Sequence, residues 1–331
     1  MTSPADIEAT VEATARATAA EEAVTAQVAP SRWRRLLASD LLDDFLHSPV
    51  ALVAAVLALL CITCALFAPW IAPHDPFDLA TLDLADSHLP PAWMADGKHM
   101  YPLGTDEQGR DILSALMYGA RISLMVGVVS VLLSTAIGVT AGLVSGYVGG
   151  LLDAVLMRVC DVMLSFPPIL VALLLDGIGR AMFPHAQDTL AFVVLILALT
   201  LTDWVKYART VRGATLVERQ KEFVQAARLI GVAPWRILRK HILPNVLGPV
   251  LVLATIQVAQ AILTEATLSY LGVGVPPTQP SLGTLIRNGN DFLYAGEWWI
   301  TVAPGVALMV IALSVNLLGD WLRDALNPRL K

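Results

Sequence analysis

The polar residues best suited to act on a partner lie in residues 221–232, between two strongly apolar segments. Lys221, Gln225 and Arg228 share one side of the helix that this stretch predicts. Its apolar face is predicted to consist of residues spaced i, i+3, i+4 and i+7, which are Phe223, Ala226, Ala227 and Ile230. Gly231 suits the left-handed turn that ends such a helix. The chemistry expected here is recognition of another protein.

Composition places the chain in the membrane. Of its 331 residues, 56% are hydrophobic and 15% are charged, with a mean hydropathy of +0.65. A soluble domain has about 25% charged residues. We find no basic stripe interleaved with aromatic residues, so no nucleic-acid partner is expected. The positions of the charged residues are more informative about orientation in the membrane than the formal net charge of −6.

Six apolar runs predict six membrane-spanning helices. They cover, approximately, residues 50–71, 122–144, 152–175, 190–204, 246–263 and 300–318. Gly138, Gly142 and Gly146 recur every four residues, a spacing that lets helix backbones approach closely in lipid. Cys61 and Cys64 have C-x-x-C spacing inside an apolar run, and we interpret them as packing residues rather than a redox or zinc site.

Lysine and arginine positions predict the orientation. Nine basic residues lie between Lys206 and Lys240, which puts the 205–244 loop in the cytoplasm together with both termini. The predicted regions follow in chain order: a cytoplasmic tail at 1–47 with a disordered start, a first transmembrane helix at 48–73, an extracytoplasmic segment at 74–120, a five-helix core at 121–322, and a cytoplasmic tail at 323–331.

The loop spacing resembles the EAA loop of permease subunits of ATP-binding-cassette importers. In that family the first helix of the loop is the coupling helix, which seats in a cleft of the ATPase subunit. The family's glutamate is replaced by Gln225 here, although Glu222 stands three residues earlier. The resemblance implies an ATPase contact formed by Glu222, Gln225, Ala226, Ala227, Gly231, His241 and Pro244.

The string at 103–111 is similar to the LGTDxxGRD signature of dipeptide, oligopeptide and nickel permeases. Its signature residues are Gly104, Thr105, Asp106, Gly109, Arg110 and Asp111. We expect the three charged residues to form a local ion-pair cluster that packs against the outer ends of the spans. Residues 268–272 and 316–320 also match family patterns. Together these resemblances imply a C-type permease with the all-α, six-helix type I importer fold.

The chain has no G-x-x-x-x-G-K-[ST] sequence, so we expect neither ATPase activity nor a cofactor of its own. The family reading implies that ATP and Mg²⁺ bind to one or two partner ATPases. It also implies a B-type permease that completes a heterodimer, an extracytoplasmic substrate-binding protein and membrane lipid. The expected location is the bacterial inner membrane.

Polar residues of the fifth predicted span are candidates for the translocation pathway. Gln257, Gln260 and Glu265 fall on roughly one face, where they either line the pathway or form hydrogen bonds between helices. The favoured function is import of dipeptides or oligopeptides. The alternatives are a nickel or glutathione importer, an ion-coupled secondary transporter, and a membrane receptor or scaffold, which would leave the EAA-like loop unexplained.

Overall fold

The computed structural model describes residues 44–78, 82–182, 187–275 and 279–325. Most of the predicted N-terminal tail (1–43) and the end of the C-terminal tail (326–331) lie outside the described residues. Helices account for the regular structure of the described part, in which no strand occurs. The α-helices from Pro49 onward are, in chain order, α1 (Pro49–Leu66), α2 (Ala68–Ile71), α3 (Ile112–Val148), α4 (Gly150–Ser165), α5 (Pro168–Met182), α6 (Gln187–Glu218), α7 (Glu222–Leu229), α8 (Pro234–Ile237), α9 (Leu243–Tyr270), α10 (Leu282–Leu293) and α11 (Trp299–Ala325). A 3-10 turn spans Leu84–Asp86, and a π-helical turn spans Leu238–Ile242.

Five helical segments of the described chain are long and apolar enough to cross a membrane. They are α1, α3, α6, the run from α8 through a π-helical turn to α9, and α11. The remaining predicted span, the third at 152–175, corresponds to α4 and α5, which meet at an angle of 89°. Pro167 and Pro168 lie at this break, where the missing backbone N–H groups interrupt the helical hydrogen bonds. The all-α prediction is confirmed.

The predicted glycine row lies in the contact between α3 and α6, the largest helix interface among the described residues. A Cβ atom on Gly138 would lie 2.4 Å from the Trp204 carbonyl oxygen, and one on Gly142 would lie 2.5 Å from that of Ala208. Gly146 continues the row one turn further. Backbones this close leave no room for a side chain, as the four-residue spacing predicted.

Several predicted boundaries were too narrow. Helix α3 begins ten residues before the predicted 122, because the Asp111 carboxylate accepts hydrogen bonds from the amides of Leu113 and Ser114 and so caps it. Helix α6 continues fourteen residues beyond the predicted 204, through the basic stretch. Helix α10 was not predicted. Its start is capped by Ser281, whose hydroxyl accepts a hydrogen bond from the Thr284 amide.

Candidate functional site

Helix α7 has eight residues and a sharply defined end. Gly231 has a φ of +79°, and the space around its Cα is open. The Val232 amide donates to the Ala227 carbonyl at 3.0 Å, and the Gly231 amide donates to that of Arg228 at 3.0 Å. These two hydrogen bonds form a Schellman motif, which glycine permits because the turn needs a left-handed residue. The predicted end of the helix at Gly231 is confirmed.

The apolar face predicted for α7 is wrong in detail. Val224 and Ala227 are the buried residues of the helix, and they pack in a core cluster with Ile237 and Val246 of the same chain. Ile230, predicted to share the inward face, is 80% exposed. The reason is that the segment after Gly231 folds back beneath the helix and covers the strip that contains Val224 and Ala227.

A group of large apolar side chains near α7 faces away from the chain. Leu229 is 88% exposed, Ile230 is 80% exposed, and Trp235 at the start of α8 is 70% exposed. We call these three residues the docking patch. Sequence reasoning missed Leu229 and Trp235, because α7 was assigned one apolar face only. Large apolar groups exposed in an otherwise basic loop are typical of a protein contact.

The other predicted loop residues lie around this patch. Glu222, Gln225 and Ala226 are exposed, as is Pro244 in the first turn of α9. The Gln225 side-chain amide donates to the Gln220 carbonyl at 2.8 Å. A glutamate, the residue of the EAA motif, could not donate this hydrogen bond when ionised.

His241 is half-buried and lies under α7. Its ring centroid is 6.2 Å from that of Phe223, and its carbonyl accepts a hydrogen bond from the Asn245 side chain at 2.8 Å. Among the predicted loop residues, His241 and Ala227 therefore support α7 from within the chain. The exposed ones are free to contact a partner.

Two arginines tie α7 and the end of α6 to the turn between α3 and α4. Arg219 donates through Nη1 to the carbonyl of Gly146 at 2.9 Å. The Arg228 guanidinium lies 4.5 Å from the centroid of the Tyr147 ring, in cation–π geometry. A displacement of α7 would therefore act directly on this turn.

Ion pairs join α4 to α6 on the same side of the molecule. Arg212 binds Asp153 through two hydrogen bonds, from Nε at 2.5 Å and from Nη2 at 2.7 Å. Asp161 pairs with Arg209 of α6, while Arg158 is 3.9 Å away. The predicted pair between Arg158 and Asp161 is present, with a longer separation than the pair between Arg209 and Asp161. Forked arginine–carboxylate contacts fix the relative orientation of the two helices.

The 103–111 string folds into a buried turn. Arg110 donates through Nε to Asp106 at 2.7 Å, and the Arg110 amide donates to the other oxygen of the same carboxylate at 2.9 Å. Both residues are at least 94% buried. The predicted ion pair is therefore present. Asp111 belongs to no such pair with Arg110, because its carboxylate is used to cap α3.

Thr105 links this turn to two other parts of the chain. Its hydroxyl donates to the Asp86 carbonyl at 2.6 Å, and its carbonyl accepts from the indole nitrogen of Trp299 at 3.4 Å. Gly104 and Gly109 have φ values of +83° and +76°, which allow the tight turns that the sequence predicted. These contacts are structural, and they hold the starts of α3 and α11 together.

The three polar residues of α9 do not share a face. Gln260 is exposed, whereas Gln257 is 4% exposed and Glu265 is fully buried. One oxygen of Glu265 accepts a hydrogen bond from Ser269 at 2.7 Å, and the other has no hydrogen-bond partner in the described part of the chain. The prediction of one common polar face is therefore wrong, since residues 260 and 265 are about 140° apart on a helix of 3.6 residues per turn.

Comparison with known protein families gives two matches. Residues 138–331 match the family described as "Binding-protein-dependent transport system inner membrane component". Residues 33–91 match the "N-terminal TM domain of oligopeptide transport permease C". The first match covers more than half of the chain and includes α7, the glycine row from Gly138 onward and α9.

Curated relatives agree with these matches. The chain is 41% identical over 295 residues to the dipeptide transport system permease protein DppC of Escherichia coli, covering 88% of this chain and 94% of that one. It is 38% identical over 290 residues to the di/tripeptide transport system permease protein DppC of Pseudomonas aeruginosa, covering 87% and 91%.

The fold is also found in a solved transporter. An inward-facing structure of the MetNI methionine ABC transporter contains a chain that aligns with a TM-score of 0.52 at 22% identity, covering 64% of this chain and 96% of that one. This likeness concerns the fold alone. The family and relative matches show that this chain belongs to the inner-membrane components of binding-protein-dependent transport systems.

Proposed function

We propose that this chain is one of two permease subunits of an ATP-driven importer, and that its substrates are dipeptides or short oligopeptides. The observation that carries the coupling role is the docking patch, whose three large apolar side chains are exposed beside α7. Relatives about 40% identical along most of the chain are named for dipeptide transport, which supports the substrate class.

The contacts around α7 suggest how a movement of the ATPase is transmitted to the membrane helices. The Schellman motif keeps α7 and α8 at a fixed angle, so the docking patch moves as a unit. A push on this unit acts on Tyr147 and Gly146 through Arg228 and Arg219. The ion pairs between α4 and α6 pass the motion on to the bent pair α4–α5.

The proposed orientation puts α7 and both termini in the cytoplasm of a bacterium, with the segment 74–120 outside the inner membrane. ATP and Mg²⁺ then bind to one or two partner ATPase chains, and α7 seats in a cleft of such a chain. A B-type permease completes the pathway as the second half of a heterodimer. An extracytoplasmic binding protein delivers the substrate.

The exposure of each side chain distinguishes which of the three candidate residues can line the pathway. Each permease supplies half of the pathway, so a residue that lines it should be exposed in the isolated chain. Gln260 meets this condition, whereas Gln257 and Glu265 are buried within the chain. We assign Gln260 to the pathway and the other two to helix packing, where a buried carboxylate needs hydrogen-bond partners such as Ser269.

The coupling role is tested by uptake of a radiolabelled dipeptide into proteoliposomes that contain both permeases, the ATPases and the binding protein. Ile230→Asp puts a charge on the docking patch and should lower ATP-dependent uptake about ten-fold or more, as expected for a contact worth at least ~2 kcal/mol. Val217→Asp is the control, because Val217 is 63% exposed and lies outside α7 and α8. Normal uptake by the Ile230 variant would refute the role of the patch.

The substrate class is tested separately, in the same vesicles with unmodified protein. Unlabelled dipeptides should compete with the labelled dipeptide, while Ni²⁺ and glutathione should not. Competition by Ni²⁺ or glutathione alone would replace the peptide assignment by one of those importers. It would leave the coupling role of α7 untouched.

A further inference from the structure

A large apolar groove opens between α1, α3, α9 and α11. Its volume is about 610 Å³, which lies within the range of ligand-binding clefts. Its apolar lining includes Ala58, Ile62, Ala65 and Leu66 of α1, Met125 and Val128 of α3, and Val258 of α9. Among the described residues, Arg121 is the one charged residue that lines the groove.

Arg121 needs a partner that the described chain does not supply. Its side chain is exposed, and in residues 44–78, 82–182, 187–275 and 279–325 no carboxylate lies within salt-bridge distance of it. A charged side chain within a span is costly unless it is paired or reaches the interface. An anion beside the guanidinium would remove this cost.

The position of Arg121 along the chain places it at the outer membrane surface, given the orientation proposed above. It shares the groove with Leu66, the last residue of α1. Four residues later, Trp70 in α2 is 81% exposed. Exposed tryptophans are enriched at the level of the lipid headgroups.

The groove extends from this level toward the middle of the membrane. Arg121 and Val129 both line it and are eight residues apart on α3, a rise of ~12 Å. Half of the hydrocarbon core is ~15 Å thick. The groove thus has a cationic end at the headgroups and an apolar course through one leaflet.

We propose that this groove binds one phospholipid of the outer leaflet, with its phosphate on Arg121 and an acyl chain along α3. The charge and the apolar lining both match such a molecule. The groove does not belong to the proposed pathway, since Val258 lines it while Gln260, two residues on, points to the opposite side of α9.

Native mass spectrometry of the complete transporter, purified from membranes that contain phosphatidylglycerol and phosphatidylethanolamine, tests the site. Arg121→Gln should retain phosphatidylglycerol about ten-fold less well, the factor expected from losing one charge-assisted hydrogen bond. Arg121→Lys should retain most of it. The control is Arg180→Gln, because Arg180 is also exposed but is paired with Asp176 at 2.8 Å, and it should behave like the unmodified protein.

A second variant fills the groove without changing its charge. Val128→Trp should also lose the bound lipid, while keeping the complex assembled. Unchanged retention by Arg121→Gln and Val128→Trp would overturn the proposal. So would efficient cross-linking of Met125→Cys to the partner permease, which would show that a protein helix fills the groove. Peptide uptake is not read in these assays, so their failure is distinct from failure of the transport function.

Discussion

Two neighbouring alanines of α7 provide a sharp test of the coupling helix. The sequence placed both Ala226 and Ala227 at the contact with the ATPase. In the structure, Ala226 is exposed, whereas Ala227 is 6% exposed and packs with Val224 and Ile237 of its own chain. An aspartate at the first position should therefore affect docking alone, and one at the second should affect the chain itself.

The expected magnitudes differ widely. An exposed substitution changes stability by about 0.5 kcal/mol or less, so Ala226→Asp should leave the free energy of unfolding nearly unchanged. Ala227→Asp would place a carboxylate among the buried apolar side chains of this core cluster. An uncompensated buried charge costs about 3–5 kcal/mol, which is enough to displace α7 from its place on the core.

The assay compares both variants at matched membrane abundance. Thermal unfolding in detergent reports stability, and co-purification of the ATPase reports docking. Ala226→Asp should unfold like the unmodified chain and lose the ATPase, and Ala227→Asp should lose both stability and ATPase. If the Ala226 variant retained the ATPase, or if both variants were equally stable, our assignment of the two faces would be refuted.

Two further predictions concern stability. Lys98 donates a hydrogen bond to Asp86 and holds the pKa of that carboxyl below its usual range. The stabilisation by this pair is therefore fully present above the pKa of an unfolded aspartate, ~3.9, and is lost as the pH falls through the lower pKa of the folded state. Lys98→Met should make the unfolding temperature less sensitive to acidification from pH ~5 to ~3, and equal acid sensitivity in thermal scans would contradict this. Gly142→Ala brings a Cβ to 2.5 Å from the Ala208 carbonyl oxygen and should cost about 1–3 kcal/mol. The control Gly213→Ala, inside α6 with nothing within 4 Å of the new Cβ, should not destabilise the protein in the same denaturation experiment and should gain up to ~1 kcal/mol, because alanine favours a helix more than glycine does.

Features with a local cause could be predicted from the sequence. The spacing of Gly138, Gly142 and Gly146 determines by itself that one side of α3 lacks side chains, and the structure places α6 against that side. The two prolines after Phe166 interrupt the backbone hydrogen bonds whatever surrounds them. The left-handed turn at Gly231 has the same local origin.

The faces of α7 could not be predicted in the same way. Periodicity shows which residues are apolar, but an apolar residue packs equally well on its own chain or on a partner. Val224 was left out of the predicted face and is fully buried, while Ile230 was included and is exposed. Only the fold of the segment after Gly231 decides between them.

Contacts between residues far apart in the chain also could not be predicted from the sequence. Arg212 and Asp153 are 59 residues apart and form a forked ion pair, and His88 contacts Glu297 at 2.6 Å across 209 residues. Asp111 looked equally suited to pairing with Arg110, and the start of α3 instead uses it as a cap. A charged residue's partner depends on the tertiary fold, so type and spacing alone do not identify it.

The most direct test of the central claim is a cross-link between the docking patch and the ATPase. The native Cys61, Cys64 and Cys160 are first replaced, and single cysteines are introduced at Ile230 or, as a control, at Val217. In the assembled transporter, the cysteine at position 230 should cross-link to the ATPase subunit through a short thiol-reactive linker, and the one at position 217 should do so far less. Cross-linking at neither position, or at 217 alone, would contradict the assignment of α7 as the coupling helix.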